Sequence, residues 1–152
     1  MDTSLRRRRF LRVGGATLAL SVAGCTDFLG SEIEFDDDVP EEVADHLSGA
    51  NNVDGSITDR TGEGEVGIDV GPGGNFAYDP ALVAIDAGTA VTWEWKTGGH
   101  TVTSEQTPGE TEFDVPSRNG EQFTQTFETP GNVLYYCSPH RGAGHLGALV
   151  VE

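Results

Sequence analysis

The sequence predicts an all-β protein, a Greek-key β-sandwich preceded by a short helix and by a leading segment that is not part of the sandwich. Three observations carry this. From Glu65 to the end, short runs alternate apolar and polar residues with a period of two. Glycine, proline, asparagine and aspartate punctuate them, and about seven such runs fit into residues 65–152. The one stretch with helical spacing is short and comes before all of them.

Residues 1–24 begin with Arg6, Arg7, Arg8, Arg9 and Arg12, followed by a mild apolar run of 12 residues from Val13 to Gly24. A bilayer span needs about 20 apolar residues, so this run reads as a signal peptide rather than a membrane helix. Arg7-Arg8-Arg9-Phe10-Leu11-Arg12 resembles a twin-arginine export motif. Val22-Ala23-Gly24-Cys25 resembles a lipobox, whose cysteine would be lipidated and become the new N-terminus.

Residues 25–64 are acidic and rich in Gly, Ser, Asp and Glu, the composition of a tether. Inside it, "VPEEVADHLSG" places Val39, Val43 and Leu47 on one helical stripe. Pro40 suits the start, Glu41 and Glu42 suit the positive end of the dipole, and Gly49 suits the close, which predicts a helix near 40–48. His46 falls near its end and is read as structural.

In residues 65–152 the first strand carries Val66, Ile68 and Val70 on one face, and Gly71-Pro72-Gly73-Gly74 then breaks the chain. No helix and no P-loop lysine follow this glycine run, so it is a turn and not a phosphate cradle. The clearest strand has Val91, Trp93 and Trp95 on one side and Thr92, Glu94 and Lys96 on the other, which assigns both tryptophans to the core. Further strands are predicted at 101–104, 122–128, 133–137 and 148–151.

The chain holds 25 acidic and nine basic residues, a net charge of −16. Beyond residue 24 the balance is four basic against 24 acidic residues, a net of −20. Binding to a nucleic-acid backbone needs the opposite sign and is excluded. The acids are spread through every segment, which describes a solvated surface suited to very high salt.

Two cysteines are present, Cys25 and Cys137. With lipid on Cys25, Cys137 has no disulfide partner, and an exported protein that keeps a lone thiol uses it for chemistry. Cys137, His140 and His145 stand at Cys-x2-His-x4-His, and His100 follows two glycines in "GGHTV". A soft thiolate with two imidazoles and a weak axial group is the set that suits electron-transfer copper. A closed Cys/His3 zinc site in a membrane-tethered binding module is the alternative. A cysteine hydrolase would need a base, an orienting group and an oxyanion hole, and a copper reductase would need a second metal site, so no enzyme is expected.

The runs "FAYDPALVAIDAGTAVTWEWKTGGHTV", "YYCSPH" and "GALVVE" resemble the halocyanins, small blue copper proteins of haloarchaea with the cupredoxin fold. The resemblance extends over roughly residues 36–152. It implies one copper ion held by His100, Cys137, His140 and the residue at position 145, and a one-electron carrier lipid-anchored on the outer face of the cell membrane. It also implies a monomer that exchanges electrons with partner proteins of the respiratory chain, docking around His140 through Pro139, Ala143 and Leu146.

Two positions depart from the family pattern. His145 stands where methionine is expected, and Met1 is the only methionine in the chain. As an axial ligand His145 is harder than a thioether, so it should favour Cu(II), lower the reduction potential and push the geometry toward tetragonal. Otherwise it turns into solvent and leaves a trigonal site. Thr101 replaces the asparagine that braces the ligand loops in relatives, and a weaker brace to Ser138 is expected.

Overall fold

The computed structural model describes residues 32–109, 112–117 and 120–152. The export motif, the lipobox and Cys25 lie outside them. Among the described residues there are one α-helix and ten strands, and the strands form two sheets.

In chain order the elements are α1 (Glu41–Leu47), β1 (Thr58–Asp59), β2 (Glu65–Val70), β3 (Tyr78–Asp79), β4 (Leu82–Ile85) and β5 (Thr89–Trp95). They continue with β6 (Val102–Gln106), β7 (Asp114–Val115), β8 (Gln122–Phe127), β9 (Gly131–Tyr136) and β10 (Leu146–Val151). One sheet has the order β1-β4-β10-β9-β6-β7, the other β3-β2-β5-β8. They stack face to face as the all-β sandwich that the alternation predicts.

Side chains from both sheets fill the space between them: Val66, Ile68 and Val70 from β2, Val91, Trp93 and Trp95 from β5, and Val133, Tyr135, Leu149 and Val151 opposite. Both tryptophans are buried, with Trp93 stacked on Phe123 of the neighbouring strand, its cross-strand partner. Phe123 itself stays only partly buried, since β8 is an edge strand.

The six-stranded sheet is covered on its second face as well. Val39, Val43, Leu47 and Ala50 of the α1 region pack on Leu82, Leu134 and Ala148. This explains why β4, "LVAI", is apolar without alternation: each of its four residues is buried, Val83 and Ile85 against the sandwich core and Leu82 against the helix.

The stretch read as a tether is therefore more than a tether. From Phe35 onward it supplies the helix, the strand β1 paired in parallel with β4, and half-buried Val53 and Ile57. Acidic composition concealed this because its few apolar residues are spaced for one face only. The helix ends at a Ser48 cap rather than at Gly49. His46 is structural: its Nε2 donates to the carbonyls of Tyr135 (3.0 Å) and Gly147 (3.1 Å), while Nδ1 sits 3.2 Å from Glu105.

Candidate metal centre

His100, Cys137, His140 and His145 gather at one end of the sandwich, with one donor atom from each within 4.8 Å of the others. His100 precedes β6, Cys137 follows β9, His140 lies in the 3-10 turn Ser138–Ala143, and His145 immediately precedes β10. Strand ends fix three of the four. The connecting loop ties itself together: the Cys137 N–H donates to the His145 carbonyl (2.9 Å), and the His145 N–H donates to the His140 carbonyl (3.2 Å).

Three donors form a close triangle. His100 Nδ1 lies 3.2 Å from His140 Nδ1, and Cys137 Sγ lies 3.4 Å from His140 Nδ1 and 3.9 Å from His100 Nδ1. Metal bonds of about 2.0–2.1 Å to nitrogen and about 2.3 Å to sulfur, spread at roughly 120°, separate nitrogens by about 3.5 Å and nitrogen from sulfur by about 3.8 Å. The triangle is the size of a coordination shell.

Hydrogen bonds around the site set the tautomer of His100. The Thr97 hydroxyl donates to the Gly71 carbonyl (2.8 Å), so the proton between Thr97 Oγ1 and His100 Nε2 (3.2 Å apart) belongs to the imidazole. Nδ1 is then left as a lone pair facing Cys137 and His140. Burial, followed by the nearby His140, lowers the His100 pKa. Burial also raises the Cys137 thiol, against the backbone N–H of Thr101 that reaches its sulfur at 3.4 Å. A thiolate here needs a cation beside it.

His145 completes the donor set. It is fully buried, and neither ring nitrogen finds a hydrogen-bond partner. Burial, then His100 and His140, hold its pKa down to about 3. A neutral imidazole with an idle buried lone pair pointing among three other donors fits a metal ion. The alternative in which His145 turns into solvent is excluded by its burial.

Several neighbours were not assigned to the site from the sequence. Gly71, at φ +66°, passes so close to His100 that a Cβ would come within 2.5 Å of the ring, so the glycine turn does work at the site after all. Trp95 lends its indole N–H to the His100 carbonyl (2.7 Å), and Tyr78 its hydroxyl to the Thr101 carbonyl (2.6 Å). Phe76, the exposed large apolar side chain among the described residues, stacks flat on His140 at 4.0 Å and 11°. Phe76 stands in "NFAYD", outside any long alternating run that would have marked it.

Thr101 does reach Ser138, accepting its N–H at 2.8 Å. Its own hydroxyl meets that of Thr103 (2.9 Å), which donates to Asp114 (2.9 Å), so the brace runs on to β7. Leu146 packs with the helix layer, unlike exposed Pro139 and Ala143.

Comparisons with known proteins agree with the geometry. Residues 64–152 match the profile of the copper-binding proteins of the plastocyanin/azurin family. The chain is 42% identical to a halocyanin of Natronomonas pharaonis over 97% of its own length and 98% of that protein. It is 34% identical to a chloroplastic plastocyanin of Tetradesmus obliquus over 52% of this chain and 61% of the other. A solved structure of a mutant amicyanin in its Cu(I) form shares the fold, with TM-score 0.50 and 24% identity over 61% of this chain and 87% of that one.

Proposed function

The chain belongs to the plastocyanin/azurin family of copper-binding proteins, in its halocyanin branch, and from that premise we propose that His100, Cys137, His140 and His145 are the ligands of its metal, with His145 axial. The protein is a one-electron carrier and not an enzyme, and its cofactor is one copper ion. Bound copper supplies the Cu(I)/Cu(II) couple. The chain's own residues hold the donors still: His100 by Thr97, Gly71 and Trp95, Cys137 by the Thr101 N–H, and His140 by the ring of Phe76. Ligands that keep one geometry in both oxidation states keep the rearrangement on electron transfer small.

The observation that carries the ligand assignment is His145, a neutral imidazole buried without a hydrogen bond among three other donors. Absorption spectroscopy with electron paramagnetic resonance (EPR) tests it. The oxidised, copper-loaded protein should show a strong sulfur-to-copper charge-transfer band; a colourless, redox-silent holoprotein would return the site to zinc.

The same reading places the mature protein on the outer face of the cell membrane. It is exported through the twin-arginine motif, cleaved before Cys25 and anchored by lipid there. As a monomer, it would pass electrons between partners of the respiratory chain, meeting them through Phe76, Pro139 and Ala143 around His140. Mass spectrometry of the membrane-extracted protein should find a covalent lipid mass on Cys25, and Cys25→Ala should release the protein to the medium. An unmodified, full-length N-terminus would reject the anchor.

A further inference from the structure

Residues 35–59 lie outside the stretch matched to the copper-binding family, residues 64–152, yet they touch the loop that carries three of the four donors. Asn51 makes the contact. Its Nδ2 donates to the carbonyls of Phe76 (2.8 Å) and Ala143 (2.7 Å), and its backbone N–H donates to the Gly144 carbonyl (2.8 Å). Both partners of the side chain are acceptors only, so the amide nitrogen, not its oxygen, must face them. The approach is tight on the far side too: Gly144 has φ +87°, and a Cβ there would stand 2.5 Å from the Gly49 carbonyl oxygen and 3.1 Å from Asn51 Nδ2.

The two loops joined in this way are those that face the donors. Phe76 lies flat on His140, and Tyr78, two residues on, packs its ring 4.3 Å from that of His145. Ala143 and Gly144 connect His140 to His145. Earlier in the same segment, His46 grips the carbonyls of Tyr135 and Gly147 in the strands that enter and leave the loop. The segment is thus anchored to the stem of the hairpin and reaches over its tip.

We propose that Asn51 is a positioning residue for the copper centre: one amide cross-links the Phe76 loop to the His140–His145 loop and thereby fixes how the two imidazoles face the metal. This rests on the copper reading above. Bonds within the ligand loop hold its shape, whereas the Asn51 amide holds that shape in register with the rings of Phe76 and Tyr78 packed against it.

Asn51→Asp keeps the shape but turns an acceptor toward two carbonyls; Asn51→Ala removes the link, and Val43→Ala loosens the same segment at the helix without touching either loop. In the full-length, copper-loaded protein, the Asp variant should shift the copper hyperfine splitting and the charge-transfer band and slow electron self-exchange about tenfold, the scale of one or two lost hydrogen bonds. In the metal-free protein, amide hydrogen exchange over residues 140–146 should quicken about tenfold. Asn51→Ala should move the same way by less, and it carries the test should the Asp variant fail to fold. Val43→Ala should lower the melting temperature and leave the spectra alone. Wild-type spectra and wild-type amide exchange in the Asn51 variants would overturn the proposal, as would a Val43→Ala variant that matches them. A wild-type protein without a charge-transfer band would instead refute the copper reading, and the metal-free exchange data would still judge Asn51.

Discussion

At residue 145 the proposed ligand set differs from the family pattern by one donor atom, and that difference would set the character of the site. An imidazole is a stronger and harder donor than a thioether, so it stabilises the Cu(II) state more than the Cu(I) state. The His145→Met variant should therefore show a higher reduction potential by voltammetry and a narrower, blue-type EPR hyperfine pattern. An unchanged spectrum would remove His145 from the ligand set. Part of this site was readable in the chain because Cys-x2-His-x4-His with a distant histidine is a donor pattern. The burial of His145 and its lack of any hydrogen bond were not, since spacing says nothing about where a ring points.

At the scale of elements, β5 and α1 each serve the site from a distance. The Trp95 indole closes the core and at the same time satisfies the buried carbonyl of His100. Trp95→Phe keeps most of the packing but strands that carbonyl, a cost of about 1–3 kcal/mol, so the melting temperature should fall and the EPR spectrum should broaden as His100 gains freedom. Period-two alternation placed Trp95 in the core, but its bond to a residue five positions later depends on how the chain turns after β5. The helix has the opposite history. Its stripe of Val39, Val43 and Leu47 was legible, while its target, the outer face of β4, β9 and β10, was not. Leu47 is fully buried there, so Leu47→Ala should cost about 2–5 kcal/mol in denaturant unfolding.

For the whole molecule, charge governs the response to pH and salt. Hydrogen bonds from Asn132 and then Gln106 lower the pKa of Glu42, and the Lys96 side chain followed by Gln122 lowers that of Glu94. Asp54 and Asp59 are lowered in the same direction by the hydroxyl and backbone N–H of Ser56 and of Thr61. A folded-state pKa below the unfolded value gives stability that is complete above the ordinary carboxylate range and drains as pH falls through that range and below it. Thermal melts at fixed high salt should accordingly hold steady near neutrality and begin to decline below about pH 6.5, where the unfolded chain protonates histidines that buried His145 and His100 resist protonating. They should fall further below about pH 4.5 as the carboxylates protonate. A net charge of −16 also repels itself, and at ~1 M salt the Debye length is about 3 Å, so added salt should raise the melting temperature at neutral pH. A melting temperature indifferent to salt would show that this repulsion is already balanced locally.

What the sequence determined alone was whatever depends on neighbours along the chain: strand alternation, the helical stripe, the charge balance and the spacing of the candidate donors. Tertiary structure decided what depends on residues far apart in number. It made an acidic stretch part of the protein's body, set Phe76 over His140, pressed Gly71 against His100 and brought Asn51 to the ligand loop. The reason is physical: periodicity records which face of an element is dry, whereas contact between loops is set by how two sheets and a helix stack, and no local pattern encodes that distance.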